Sequence, residues 1–162
     1  MEDINYSENK EENDKNRSSI EIYWEIYKDL DRIYSRFAKE CGLSDGEYWA
    51  LVMIREGCTT QAEIREEFSL NKQTIHSAIK QLVKKGFIRL EIREDNQREK
   101  KIFLTKEGWD FVRDHIDGMI LLERKAWDKI KTEEQEQLTK ISQKYNNLLE
   151  SELEAYLKGK QT

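Results

Sequence analysis

The residues best suited to chemistry lie in one stretch, NKQTIHSAIKQLVKKGF at 71–87, which carries four lysines (Lys72, Lys80, Lys84 and Lys85) and no acid. Read as a helix, Ile75, Ala78, Ile79, Leu82 and Val83 form one apolar stripe, because residues three and four apart share a face. The opposite face shows Lys72, Gln73, His76, Ser77 and Lys80, with Thr74 beside them. Lysine binds phosphate oxygens as a point charge, whereas Gln, Ser and Thr can also hydrogen-bond base edges. The chemistry available is therefore recognition of an anionic polymer. Catalysis is not indicated: there is no nucleophile elbow, glycine-rich phosphate loop or pair of metal ligands, and no cofactor is expected. His76 and His115 are 39 positions apart and make no metal-ligand spacing.

Charge along the chain sharpens this reading. The 162 residues carry a net charge of −5. Residues 71–104 hold nine Lys/Arg against four acids, a net of +5, which leaves −10 for the remainder. Positive charge is concentrated where a phosphate backbone would pass, and the negative remainder discourages contact elsewhere. With 38 % charged residues, a mean hydropathy of −0.91 and no run of 18 apolar residues, no membrane partner is expected. Residues 1–17, MEDINYSENKEENDKNR, contain no apolar core for a signal peptide. They read as a disordered acidic tail, and a cytoplasmic location follows by default. Cys41 and Cys58 make no disulfide framework and read as ordinary thiols.

The elements that position the basic face can be placed by their caps. Ser18 with Glu21 has the form of a capping box opening a helix to about Lys39, whose apolar face is Tyr23, Ile26, Tyr27, Leu30, Ile33, Tyr34 and Phe37. Gly42 ends it. Ser44 with Glu47 opens a second helix to Arg55, ended by Gly57, and Thr60 with Glu63 opens a short third one to Phe68. Asn71 caps the basic helix and Gly86 closes it. The pattern then changes: FIRLEIRE (87–94) and KKIFLT (100–105) alternate as strands around a polar tip, DNQRE, predicting a hairpin. Thr105 caps a further helix that carries Trp109, Val112, Ile116, Met119, Ile120, Ala126 and Trp127 at helical spacing. Thr132 with Gln135 opens a last helix striped by Leu138, Ile141, Tyr145, Leu148, Leu149, Leu153 and Tyr156. The chain is free of proline, in keeping with long helices. The expected fold class is mainly α (α+β), with helix–helix–helix–hairpin in the middle, the winged helix-turn-helix order.

Two segments carry a family resemblance. LVKKGFI at 82–88 and LTKEG at 104–108 resemble the end of the recognition helix and the L-T-x-x-G motif after the wing in the multiple-antibiotic-resistance regulator (MarR) family. The resemblance spans about residues 20–157 and is strongest from Thr60 to Gly108. The family's wing carries Asp-x-Arg; counting back from Leu104 puts Arg98 on the Arg and Asn96 on the Asp, with Asp95 one place early. The resemblance implies a winged helix DNA-binding domain at 41–105 and a helical dimerisation region at 18–40 and 106–158. It also implies a homodimer on double-stranded, pseudo-palindromic operators, acting as a repressor and released by a small aromatic effector. The implied DNA-binding residues are Lys72, Gln73, Thr74, His76, Ser77, Lys80, Lys84, Arg93, Asn96, Arg98, Lys100 and Lys101; Tyr27, Tyr34 and Trp49 are candidates for the effector. Two alternatives share the fold: a redox sensor using Cys41 or Cys58, and a winged-helix protein-interaction module. The clustered basic charge is unnecessary for the latter.

Overall fold

The computed structural model describes residues 18–68, 71–92 and 100–160. The elements run α1 (Ser19–Glu40), α2 (Asp45–Arg55), α3 (Gln61–Phe68), α4 (Lys72–Lys84), β1 (Ile88–Ile92), β2 (Lys100–Leu104), α5 (Lys106–Phe111), a π-helical turn (Val112–Ile116), α6 (Asp117–Trp127) and α7 (Thr132–Gly159). The chain divides into two compact units, one ending at Ile116 and one starting at Asp117.

Local sequence signals set most helix starts. The Glu21 carboxylate accepts from the Ser18 amide at 2.8 Å, and that of Glu47 from the Ser44 amide at 2.7 Å. Glu63 accepts from the amides of Thr59 (2.6 Å) and Thr60 (3.1 Å), while the Thr60 hydroxyl accepts from the Glu63 amide at 3.2 Å. These reciprocal bonds satisfy amides that have no partner inside the helix. Asn71 accepts from the Thr74 amide at 2.8 Å and starts α4. The last helix departs from expectation. Its first residue is Thr132 itself, so the flanking residue is Lys131, whose amide donates to Glu134 at 3.1 Å. The Gln135 side chain turns back instead, donating to the carbonyls of Trp127 (2.8 Å) and Ile130 (3.1 Å) and closing the α6–α7 turn.

The core of the first unit is built from α2, α3, α4, the hairpin and the π turn. Leu51, Ile64, Ile75, Ile79, Leu82, Ile88, Ile102, Val112 and Ile116 are all buried. Four of the five stripe residues of α4 are buried, but Val83 is exposed. The hairpin is antiparallel, with Ile88 opposite Leu104, Leu90 opposite Ile102 and Ile92 opposite Lys100. The Ile102 amide also donates to the Thr59 carbonyl at 2.7 Å, stitching β2 to the chain just before α3.

The continuous helix expected after Thr105 is interrupted. The π turn separates α5 from α6, and within it Val112 and Ile116 remain buried. An apolar spacing of four suits a π turn as well as an α turn, so the pattern alone could not separate them. The His115 ring lies flat on the Phe111 ring at 4.2 Å, and Phe111 is stacked in turn on Phe87 at 4.3 Å. In the second unit, α7 buries none of its residues, and its stripe from Leu138 to Tyr156 is largely exposed.

The hairpin closes against the end of α4 through one tight joint. The Thr105 amide donates to the Phe87 carbonyl at 3.0 Å. The Thr105 hydroxyl donates to the Gly86 carbonyl at 2.6 Å and accepts from the Gly108 amide at 2.9 Å. Gly86 itself sits at φ +76°, the left-handed conformation that ends α4 without a Cβ penalty. A Cβ on Gly108 would stand 1.9 Å from the Phe87 carbonyl oxygen. Only glycine fits, and the obstacle is backbone that no rotamer change can relieve. Gly108→Ala is therefore expected to cost roughly 3 kcal/mol or more. Gly118→Ala is the contrast: its Cβ would meet nothing within 4 Å, so a gain of about 0.5–1 kcal/mol is expected from helix propensity. Thermal melts of the two variants check both signs.

Candidate nucleic-acid interface

The polarity of α4 is settled by its burial. With Ile75, Ala78, Ile79 and Leu82 turned into the core, the helix presents Lys72, Gln73, His76, Ser77, Lys80 and Lys84 as exposed side chains and Thr74 as a half-buried one. No acid lies on this helix. Its surface is flanked by two concavities. On the hairpin side, a cleft of about 400 Å³ brings together Lys72 and His76 of α4, Lys100 of β2, and Arg65 and Gln61 of α3, over a floor that includes Ile75 and Leu90. On the other side, an open groove of about 580 Å³ runs between Gln73, Thr74 and Ser77 and the start of α2 at Ser44, Asp45 and Gly46. The two helices approach closely there: a Cβ on Gly46 would come within 3.3 Å of the Thr74 methyl group.

Eight of the twelve expected site residues thus fall into three groups. Lys72, His76 and Lys100 share the cleft, and Gln73, Thr74 and Ser77 share the groove. Lys80 and Lys84 are exposed further along α4. Lys101 follows Lys100 on β2, so it projects from the other face of the hairpin, where it stands opposite Glu91. Arg93, Asn96 and Arg98 lie outside the described residues. Arg65 and Gln61 were not expected at the site. Helix α3 carries Glu63, Glu66 and Glu67, and its single cation is easily discounted by composition. The signal that could have found it is phase: Gln61 and Arg65 are one helical turn apart and share a face.

Neighbouring lysines have different work. Lys84 is free to face solvent, whereas Lys85 is committed to structure. Its ammonium contacts the buried Glu47 carboxylate at 2.7 Å and donates to the Gly42 carbonyl at 2.8 Å. This pins the end of α4 to the turn between α1 and α2. Arg89 is likewise engaged, by an ion pair with Glu91 and by stacking 4.7 Å over the Phe103 ring.

The aromatic candidates are only partly assembled. Tyr34 and Trp49 are 5.1 Å apart, but Trp49 is also stacked on Phe68 at 4.4 Å and edge-on to Tyr48 at 5.0 Å. The rings fill one another's space. Tyr27 is 66 % exposed and makes no described ring contact with them. Both cysteines are free. Burial pushes the Cys41 thiol up, helped by the Glu40 charge. Burial also raises Cys58, with Glu63, Glu67 and Glu56 adding to it. A raised thiol is less thiolate and a poorer nucleophile, which weighs against the redox alternative.

A basic helix exposed beside a two-stranded hairpin, preceded by two helices that pack on it, defines a winged helix-turn-helix protein. Residues 42–99 match the model of the MarR family. The chain is 34 % identical over 84 residues to the uncharacterised HTH-type transcriptional regulator YybA of Bacillus subtilis (strain 168); the match covers 51 % of this chain and 56 % of that protein, little more than half its length. The crystal structure of the transcriptional regulator SlyA is similar at a TM-score of 0.66 and 25 % identity, covering 83 % of this chain and 96 % of that one. The Staphylococcus aureus MepR–DNA complex shares the fold at a TM-score of 0.67 and 18 % identity, covering 83 % and 99 %. The likeness to the MarR family is thus carried by residues 42–99, and the likeness of fold to these solved structures extends over most of the chain.

The Lys85–Glu47 bridge gives a pH prediction. Burial pushes the Glu47 carboxyl up, but hydrogen bonds from Lys85 and Ser44 and the Lys85 charge outweigh it and hold it below the ordinary range. A carboxyl lowered by folding stabilises the native state above its unfolded value, about 4.3 for Glu, and loses that contribution as pH falls through its folded value. Glu47→Gln should therefore flatten the acid limb of a stability–pH profile. At neutral pH, Lys85→Met should cost more than Glu47→Gln, roughly 3 kcal/mol, because it strands a buried charge. Urea titrations from neutral to acid pH test both.

Proposed function

We propose that this chain is a sequence-specific DNA-binding transcriptional regulator that works as a homodimer in the cytoplasm. The observation that carries the reading is the acid-free outer face of α4, set between two concavities and beside the basic strand β2. A helix of this kind can enter the major groove, with Gln73, Thr74, Ser77 and Lys80 reaching base edges and Lys72, Lys84, Lys100 and Lys101 reaching phosphates. His76 belongs to the same face. Arg93, Asn96 and Arg98, which lie between the two strands in sequence, complete the proposed set, and an arginine of a wing suits backbone or minor groove. A relative of the same fold, MepR, has been solved on DNA, which supports this assignment.

Dimerisation is supported by what α1 and α7 leave uncovered. Trp24, Ile26, Tyr27, Leu30 and Ile33 of α1 are exposed, as are Leu138, Ile141, Leu148, Leu149, Leu153 and Tyr156 of α7. Amphipathic helices gain most of their stability from a packed apolar face, and contiguous exposed apolar surface marks an interaction site. Regions 18–40 and 106–158 form the proposed dimerisation surface and 41–105 the proposed DNA-binding domain. Two recognition helices roughly 34 Å apart then read the half-sites of a pseudo-palindrome. The regulator acts as a repressor, released by a small aromatic effector bound near Tyr27, Tyr34 and Trp49.

Selection of bound duplexes from a random pool is the deciding experiment, with sedimentation of the free protein alongside. A two-fold-symmetric consensus and a dimer at micromolar concentration are expected; absence of any salt-sensitive duplex binding would favour a protein-interaction module. Arg98→Ala should leave the melting temperature nearly unchanged and weaken operator binding by about 10- to 10⁴-fold, as two arginine contacts are lost per dimer. Lys80→Ala serves as the comparison on the helix. Fluorescence anisotropy on the selected operator reads both.

A further inference from the structure

We infer that the cleft between α3, α4 and β2 is a seat for one phosphate-class oxyanion, supplied by the DNA backbone, and that Arg65 is its principal ligand. The inference rests on the DNA-binding reading and adds to it a contact on the helix before the recognition helix. Three cations from three elements, Arg65, Lys72 and Lys100, line about 400 Å³ of space, and no acid among the described residues lines it with them. None of the three forms an ion pair with a described residue. Like charges held around a shared space repel one another, and an oxyanion between them turns that repulsion into attraction.

Helix α3 is divided in the way such a seat requires. Two of its three acids, Glu63 and Glu67, line a separate hollow with Cys58 and Glu56, Glu63 is held there by the amides of Thr59 and Thr60, and the exposed Glu66 lines neither space. Arg65, its one cation, lines the cleft on the α4 side instead. Arginine's planar fork suits the two oxygens of a phosphodiester. Lys72 and His76 belong both to the cleft and to the exposed face of α4, so the cleft opens on the surface proposed to meet DNA. In helix-turn-helix proteins the first helix of the pair crosses the backbone while the second enters the groove. A backbone phosphate is thus the source that this geometry favours over a free anion.

The test is a protein–DNA cycle. Arg65→Gln, at an exposed side chain, should keep the wild-type melting temperature, weaken binding to every duplex sequence about tenfold or more, and lower the salt slope by about two for a dimer. Methylphosphonate replacing one phosphate in each half-site should weaken the native protein and leave Arg65→Gln unaffected at that position. If Arg65→Gln binds with native affinity and salt slope while Lys80→Ala is impaired, the phosphate seat is wrong and the DNA-binding reading stands. If the native protein binds no duplex, the DNA-binding reading fails and takes the backbone source with it. Titrating the free protein with inorganic phosphate separates the sources. Saturation of the Arg65 Nε–Hε resonance at sub-millimolar phosphate would overturn the backbone assignment, and weak, unsaturated shifts would support it.

Discussion

The arrangement of the first unit depends on a hydroxyl–carbonyl contact. Thr105 donates to the carbonyl of Gly86, where α4 ends, while accepting from the amide of Gly108, where α5 begins. One side chain thereby satisfies the exit of the basic helix and the entry of the helix after the hairpin. The Phe87 carbonyl takes the Thr105 amide and lies so close to Gly108 that no side chain can intervene. Strand β1 leaves from this joint and β2 returns to it. The hairpin therefore cannot pivot at its base without breaking backbone bonds in a half-buried place, where an orphaned carbonyl is costly. The proposed DNA contacts of α4 and of β2 are fixed to each other through it, and the Lys85 bridge to Glu47 and Gly42 fixes α4 on its other side.

Formal charge overstates how electropositive this surface is. Of the nine basic residues in 71–104, Lys85 is neutralised by a buried carboxylate and Arg89 by Glu91. Arg65 lies outside that segment, yet its guanidinium faces the same cleft as Lys72 and Lys100. The electrostatic footprint is thus narrower along the sequence and broader in space than a running count implies. Counterion release follows the phosphates actually neutralised, so the spatial count is the one that would set the salt sensitivity of the proposed DNA binding.

Much of this was legible in the sequence because the signals were local. The Ser18, Ser44 and Thr60 boxes, the Asn71 cap and the closing Gly42, Gly57 and Gly86 depend on residues within a turn of one another, and each glycine does sit at positive φ. The alternation of 88–92 and 100–104 was equally local. What escaped was set by tertiary packing or by degenerate patterns. Val83 continues the apolar stripe of α4 but falls beyond the surface that α2 and the hairpin cover, so it is exposed. Spacings of four between Val112 and Ile116 hid the π turn. Thr132 and Gln135 matched a capping box one residue out of phase. Arg65 was hidden by the acids around it, and the structural role of Lys85 by the lysines beside it.

The crevice at Gly108 bears on how proteins of this architecture diverge. The LTKEG segment that marks the resemblance most clearly has a steric explanation: a threonine that bonds two helix ends and a glycine pressed against a carbonyl. Neither belongs to the outer face of α4. The signature is thus an architectural one, silent about which bases are read, and if Gln73, Ser77 and Lys80 read bases as proposed, drift at them changes the bases recognised while the frame is inherited intact. Two chains sharing this joint can answer to unrelated operators, and ancestry read from it carries no inheritance of target.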